Sequence, residues 1–461
     1  MLSLYNSLSR EKEPLPDQKK IRLFVCGPTV YDYLHIGNAR TYIFFDFFAK
    51  YLRARGYDVT YVQNITDIDD KIIARAMTDG KETTAVARFF TDAYLDDMKA
   101  LGVDAVNEYA PATKFISQIV AQVERLIDRG FAYKIDGDGW YFDIAKDADY
   151  GKLSGRTAAQ AEDGVSRIDE SIGKRNKGDF CLWKFSQTSL ENLEPRWPSS
   201  IGEGRPGWHI EDTAISEFYF GPQYEIHGGG VDLKFPHHEA EIAQQESASG
   251  KKPFVQIWMH AGALLVESKK MSKSAGNFIT IRDFLEKHPA ELLRWIVINH
   301  SYRSPLDYIE PATAEQAKNE LEKIYGAIYD LSKQSHGSEN KNGAAEYLQE
   351  YHDRFFACLD DDLNTPKAIA VLHELITDAT IHGSEKLKLL KEWGEILGVD
   401  IKKALYRPEE EKMTAEMIAE YKAFRDNKQF IQSDALRKKI ESLGYLVRDT
   451  ADGPYITKRF F

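Results

Sequence analysis

Apolar and polar positions alternate in distinct ways along the chain, and the pattern predicts the elements. The run Ile21-Arg22-Leu23-Phe24-Val25 reads as a buried strand of a parallel sheet. A turn at Pro28 and His35-Ile36-Gly37-Asn38 follow, opening a helical pattern over Ala39–Arg55. Residues 58–64, DVTYVQN, predict a second strand, and NITDIDDKIIARA runs on into a helix. Residues 101–129 continue as helix, with apolar residues at about 3.6-residue spacing. The aromatic stretch 131–144 surrounds Asp136-Gly137-Asp138-Gly139 and predicts a hairpin. Short strands, glycine and charge mix over 115–205, which reads as an insertion. The α/β pattern resumes near Gly207, with strands at 223–227 and 255–260 and a helix at 237–247 between them. Residues 1–20 read as an arm leading into the first strand.

Beyond Pro305 the pattern is helical. One amphipathic helix covers 312–333, QSHGSENKN is a polar linker, and 344–397 supplies helices interrupted at Asn364-Thr365-Pro366 and His382-Gly383. Arg407-Pro408-Glu409-Glu410-Glu411 reads as a second linker. Helices near 415–427 and 430–443 and a hairpin across Asp452-Gly453 complete the chain. The expected fold class is α/β: a Rossmann-like, doubly wound parallel-sheet domain with an insertion, then an all-α bundle and a small α+β module.

Composition narrows this picture. At 461 residues, 43% apolar and 29% charged, the chain is an ordinary globular sequence with room for several cores. No apolar run approaches the roughly 20 residues of a membrane span, and Met1-Leu2-Ser3-Leu4 lacks a signal-peptide core. The three cysteines, Cys26, Cys181 and Cys358, form no CxxC pair, so a cytoplasmic location is expected. Cys181 and Cys358 read as core residues of the insertion and the bundle. A net charge of −12 excludes wholesale coating of nucleic acid. Residues 422–461, however, hold nine Lys/Arg against five acids, a local net of +4. A basic module on an acidic body suits a polyanion gripped at selected places.

Four clusters carry chemistry. Cys26 lies at a predicted strand end and His35-Ile36-Gly37-Asn38 at a helix start, the edge at which open α/β sheets bind ligands. Lys270-Met271-Ser272-Lys273-Ser274 suits a mobile loop on a triphosphate, although alone such a pentapeptide reads more readily as a solvated loop. His227-Gly228-Gly229-Gly230-Val231-Asp232 allows close backbone approach to a flat ligand, with a carboxylate for a ribose hydroxyl; a plain tight turn is the other reading. His237 and Glu241, four apart on a predicted helix, share a face. With Cys26 and Trp208-His209-Ile210-Glu211-Asp212, that layout can gather a thiolate, an imidazole and carboxylates around one zinc ion.

The pairing of HIGN with KMSKS, about 230 residues apart across an α/β pattern, resembles the HIGH and KMSKS signatures of class I aminoacyl-tRNA synthetases. The order CGPTVYDYLHIGNAR, NITDIDDK, GRPGWHIE, IHGGGVDLKFPHHEAEIAQ, KMSKS, LDDDLNTPKA narrows it to the cysteinyl-tRNA synthetase family over nearly the whole chain. The resemblance implies ATP-dependent activation of L-cysteine to cysteinyl-adenylate and transfer to the terminal ribose of tRNA(Cys). It implies one zinc ion per subunit, on Cys26, Asp212, His237 and Glu241, binding the substrate thiolate, and Mg²⁺ with the ATP. His35, Asn38, Lys270 and Lys273 are the implied catalytic residues. Gly37, Gly228, Gly229, Gly230, Asp232 and Lys273 would bind ATP; Thr66, Trp208 and His209 would line the amino-acid site. Asn38 and Asp212 stand where many members carry a histidine and a second zinc cysteine.

The implied domains are a catalytic domain in two halves, 1–114 and 206–265, around a connective insertion at 115–205. A KMSKS and stem-contact region (266–310), a helical bundle (311–402) and an anticodon-binding module (403–461) would follow. Tyr421, Phe424, Lys428, Arg437 and Lys438 are the candidates there for reading unpaired bases. A monomer with no membrane partner is expected. The alternative reading is a cysteine ligase that uses the same adenylate chemistry on a non-tRNA acceptor.

Overall fold

The computed structural model describes residues 2–156, 171–186, 194–272, 275–335, 345–450 and 453–461. The chain divides into two compact units: residues 1–290 with 300–308 and 360–363, and the remaining residues.

The first unit is built on five parallel strands: β1 (Lys20–Val25), β2 (Asp58–Ile65), β3 (Glu108–Pro111), β4 (Tyr224–Gly230) and β5 (Val255–Ala261). Their order across the sheet is β3-β2-β1-β4-β5. That order reverses between β1 and β4, and ligands of doubly wound sheets bind beyond the carboxyl ends of the strands at such a switch. Leu23, Phe24 and Val25 are fully buried, as a strand covered on both faces requires. Helix α1 (Ile36–Ala54) follows β1, and α2 (Trp208–Phe220) and α3 (His237–Ser249) flank β4.

An antiparallel sheet of Ala132–Ile135, Gly139–Phe142, Phe180–Phe185 and Gly204–Pro206 lies within the 115–205 stretch and its margin. Phe142, Leu182 and Trp183 from it pack with Ile119 and Val123, with Ile210 of α2, and with Ala240 and Ala243 of α3. A small sheet of Leu264–Val266, Lys269–Lys270 and Leu306–Tyr308 carries the first lysine of the KMSKS stretch.

The second unit contains helices Ala312–Gln334, Ala345–Asp360, Thr365–Thr377 and Gly383–Leu397. Asn364 caps the third of these by accepting from the Lys367 N–H at 3.3 Å, with Pro366 in its first turn. The C-terminal module pairs helices Pro408–Asp426 and Phe430–Ser442 with a hairpin of Tyr445–Thr450 and Gly453–Lys458 around Met417, Tyr421, Leu436, Ile440 and Tyr445. Among the described residues no helix is long and apolar enough to cross a membrane.

Several expectations need correction. Residues 101–129 are not one helix: Gly102 at φ +68° ends the preceding helix, Glu108–Pro111 joins the sheet edge, and a new helix starts at Ile116. The first twenty residues contain a hairpin, Ser3–Asn6 with Glu11–Pro14, instead of an arm. Arg407–Glu411 is no linker, because Pro408 opens a helix whose first turns tolerate acidic residues. The glycine triplet is neither loop nor turn; Gly228, Gly229 and Gly230 pair within β4 against Met259, His260 and Ala261. Cys181 and Cys358 are half-buried, not core. Tyr421 is 1% exposed, and Arg437 donates to its hydroxyl at 2.9 Å, so this pair builds the module and presents no free ring to a base.

Candidate active site

A cleft of about 600 Å³ opens at the switch between β1 and β4. The chain leaving β1 enters it with Cys26, and Gly27 then lies flush on β2: a Cβ there would collide with the Asn64 carbonyl oxygen. His35 caps α1. Its Nδ1 accepts from the Asn38 N–H at 3.2 Å, while the Asn38 Oδ1 accepts from the His35 N–H at 3.2 Å. Burial holds the imidazole below its ordinary pKa, Asp232 pulls it up and Lys270 pulls it down again. A neutral ring whose Nδ1 accepts carries its proton on Nε2, which leaves a donor for an anionic group.

The lysine stretch is anchored on this turn. The Ile36 N–H donates to the Ile279 carbonyl at 3.1 Å and the Ile281 N–H to the Leu34 carbonyl at 2.8 Å. Asn277 holds both ends of the preceding loop: its Oδ1 accepts from the Ser272 N–H at 3.0 Å, and its Nδ2 donates to the Lys270 carbonyl at 3.2 Å. Lys270 lines the cleft, and Met271 lies against Gly37, where a Cβ would sit 2.8 Å from its Cε. Lys273 and Ser274 lie outside the described residues.

At the other wall stand the donors. The ligand atoms of Cys26, Asp212, His237 and Glu241 all lie within 4.8 Å of one another, and all four residues are buried. The His237 Nε2 is 3.2 Å from the Asp212 Oδ2 and 3.1 Å from the Glu241 Oε1; the Cys26 Sγ is 3.7 Å from the latter oxygen. Burial pushes the Cys26 thiol well up, and Glu241 and Asp212 push it further. Burial likewise raises Glu241, with Asp212 adding to it. Two carboxylates and a thiolate in one dry place repel one another, and among the described residues the Glu241 Oε2 has no hydrogen-bond partner. A divalent cation removes that penalty, and one sulfur, one imidazole and carboxylate oxygens are a donor set zinc accepts.

A second set shares two of these residues. Cys26, His227, His238 and Glu241 also lie within 4.8 Å of one another, with the Cys26 Sγ 3.2 Å from the His227 Nε2 and 3.1 Å from the His238 Nε2. The first set is favoured by access. Cys26, Asp212 and His237 line the cleft whereas His227, His238 and Glu241 do not, and a metal that meets a substrate needs an open position. The other nitrogens of the second pair are engaged, His227 Nδ1 2.6 Å from the Tyr224 hydroxyl and His238 Nδ1 2.8 Å from the His260 Nε2, which leaves their Nε2 atoms to the cluster too, so access alone separates the two sets. The His260 Nδ1 lies in turn 2.8 Å from the Ser7 hydroxyl.

The remaining predicted residues fall into two groups. Thr66, Trp208, Gly37, Gly230 and Asp232 line the cleft with His35 and Asn38. Trp208 stacks on the His237 ring at 4.3 Å and holds it flat. His209, Gly228 and Gly229 stand behind the wall. The Nδ1 atoms of His209 and His237 are 2.8 Å apart, which leaves the His237 Nε2 for the donor cluster; burial drives His209 far below its usual pKa, with His237 adding to it. A Cβ on Gly228 would overlap the Phe45 ring of α1, and one on Gly229 would sit 2.8 Å from His238.

Three contributors were not singled out from the sequence. Lys71, in the NITDIDDK stretch, lines the cleft beside Tyr31 and Trp208. Asn64 touches Gly27 and Asp212. Arg40, 2% exposed, donates to the carbonyls of Ala263 (2.6 Å), Ser301, Tyr302 and Ser304, tying α1 to the strand that leads to Lys270. Burial brings it down to about 10. A lone arginine on the apolar face of a helix was its only signal in the sequence.

Comparison with known proteins agrees with this geometry. Residues 13–320 match the family described as tRNA synthetases class I (C) catalytic domain, and residues 354–402 match a DALR domain. The cysteine–tRNA ligase of Laribacter hongkongensis is 43% identical, over 98% of this chain and 99% of the relative. That of Thermococcus gammatolerans is 40% identical over 98% of each. Among solved structures, Mycobacterium tuberculosis methionyl-tRNA synthetase bound by methionyl-adenylate aligns with a TM-score of 0.60 over 82% of this chain and 88% of that one. At 15% identity, that likeness speaks to fold alone.

Proposed function

The chain belongs to the cysteine–tRNA ligase family of class I aminoacyl-tRNA synthetases, and from that premise we propose how its cleft activates cysteine and transfers it to tRNA. The cysteine carboxylate attacks the ATP α-phosphate in line, and pyrophosphate leaves cysteinyl-adenylate behind. The terminal ribose of tRNA(Cys) then attacks the mixed anhydride. Catalysis is positioning and charge stabilisation.

His35 donates from Nε2 to a phosphate oxygen, and the free amide hydrogens of Asn38 add a second neutral donor. Lys270, with Lys273, neutralises charge building on the β- and γ-phosphates beside Mg²⁺. Gly37 and Gly230 let the nucleotide approach the backbone, and Asp232 accepts from a ribose hydroxyl. Gly228 and Gly229 shape the floor beneath it by close packing. Thr66 and Trp208 border the amino acid, while His209 orients His237. Zinc held by Cys26, Asp212, His237 and Glu241 would supply a soft contact for the substrate sulfur that a serine hydroxyl cannot replace. An apolar pocket alone would separate the two by only ~1–3 kcal/mol.

The antiparallel sheet within 115–205 is assigned to the acceptor end, 266–310 to the stem contact, 311–402 to the tRNA body and 403–461 to the anticodon. Lys428 and Lys438, both exposed, are the remaining base-reading candidates, with Phe424 half-buried against the module's core. The working unit is a monomer in the cytoplasm.

The observation that carries this reading is the meeting, in one cleft, of a buried Cys/Asp/His donor cluster with the His35–Asn38 turn. Cysteine-dependent ATP–pyrophosphate exchange together with aminoacylation of a tRNA(Cys) transcript tests it. Both activities are expected. Exchange without transfer would favour a ligase with a non-tRNA acceptor, and absence of exchange would reject the reading.

A further inference from the structure

We propose that Asn64 is a positioning residue that makes an aspartate serviceable at the metal position, by committing one oxygen of Asp212 and leaving the other. The inference rests on the reading of Asp212 as a ligand given above. Asn64 sits in β2, beside β1, the strand that Cys26 follows, and is 1% exposed. Its Oδ1 accepts from the Gly27 N–H at 2.6 Å, and its Nδ2 donates to the Asp212 Oδ1 at 2.6 Å. The amide can stand only this way round, because a backbone N–H only donates and an ionised carboxylate only accepts.

One Asp212 oxygen is thereby occupied. The other, Oδ2, lies 3.2 Å from the His237 Nε2, inside the donor cluster. A thiolate presents one sulfur whichever way it turns, whereas a carboxylate has two oxygens and a rotating end. An aspartate therefore needs an orienting donor that a cysteine at the same place would not. Asn64 also reaches the second donor, since the residue after Cys26 is hydrogen-bonded to its side chain and packed on its carbonyl. Donors from two elements, the end of β1 and helix α2, are set by one amide.

The test measures the zinc affinity of the full chain by competition with chelators of graded strength, and the visible spectrum of the cobalt(II) form. Asn64→Ala is expected to weaken zinc by about 10–100-fold and to shift the cobalt spectrum. In an Asp212→Cys background the same change is expected to cost several-fold less, the loss that remains coming through Gly27 and Cys26, so the two positions are strongly coupled. Asn64→Asp, which keeps the acceptor for Gly27 and replaces only the donor, is expected to lose at least as much as Asn64→Ala. It keeps the test readable if the alanine variant does not fold. Equal losses in both backgrounds, as a merely structural residue would give, overturn the proposal, as does unchanged zinc affinity in Asn64→Asp. Unchanged zinc affinity in Asp212→Ala would instead overturn the ligand assignment on which the proposal rests.

Discussion

Cys26 is the only thiol in the donor cluster and sits where β1 runs out into the cleft, so in the proposed zinc site it would bear more of the affinity than a cysteine in a two-thiolate site. Cys26→Ser is expected to weaken zinc by more than ~100-fold, beyond the usual cost of losing an outer partner, and to abolish cysteine-dependent exchange. Metal analysis of the purified variant checks it. Behind the cluster, His260 illustrates how residue burial becomes pH dependence. Burial, with a contribution from Lys234, lowers its pKa from 6.5 to about 3. Between those values the unfolded chain binds a proton that the folded one does not, so stability falls as the pH falls through that window. One such group contributes a slope of up to ~1.4 kcal/mol per pH unit. Urea midpoints between pH 7 and pH 4 are expected to fall less steeply in His260→Gln than in the parent; identical slopes would sink this assignment.

At the scale of elements, the site depends on how closely α1 lies on the sheet. Gly228 is in contact range of Phe45, and both are buried without room for a methyl group. Gly228→Ala should therefore destabilise the protein by ~1–3 kcal/mol through overpacking, with part recovered by Phe45→Leu; thermal or urea unfolding of the variants checks this. That packing also explains what was legible in the sequence. Strands such as 21–25 and helices such as 312–333 show their period directly, because burial on two faces or one stripe dictates it. The glycine triplet shows no period, and only the neighbouring helices α1 and α3 reveal that two of its glycines answer to packing. The edge strand Glu108–Pro111 was hidden inside a helical pattern because four residues are too few to establish alternation. Asn64 and Arg40 were invisible for another reason: their partners, Asp212 and the carbonyls near Ala263 and Tyr302, are 148 residues or more away in sequence.

For the whole molecule, an acidic chain carries a basic segment at 422–461, and the function proposed above gives adenylate chemistry to the first unit and most tRNA contacts to the second. Reversing two exposed charges, Lys428→Glu with Lys438→Glu, is expected to leave pyrophosphate exchange unchanged. It should raise the KM for tRNA roughly tenfold and flatten its salt dependence, since fewer phosphate counter-ions are displaced. Aminoacylation at two salt concentrations measures both. The family's motifs were readable because their spacing is long and ordered, whereas Tyr421 could not be told from a base-stacking residue until its ring was seen in the module's core.

In the proposed mechanism a metal on Cys26, Asp212, His237 and Glu241 selects cysteine at the first step. Cysteine- and serine-dependent pyrophosphate exchange, measured on the zinc-stripped protein before and after zinc is restored, tests it most directly. Stripping is expected to abolish cysteine-dependent exchange and one zinc per chain to restore it, with negligible exchange with serine throughout. Full cysteine-dependent exchange in the metal-free protein would contradict it.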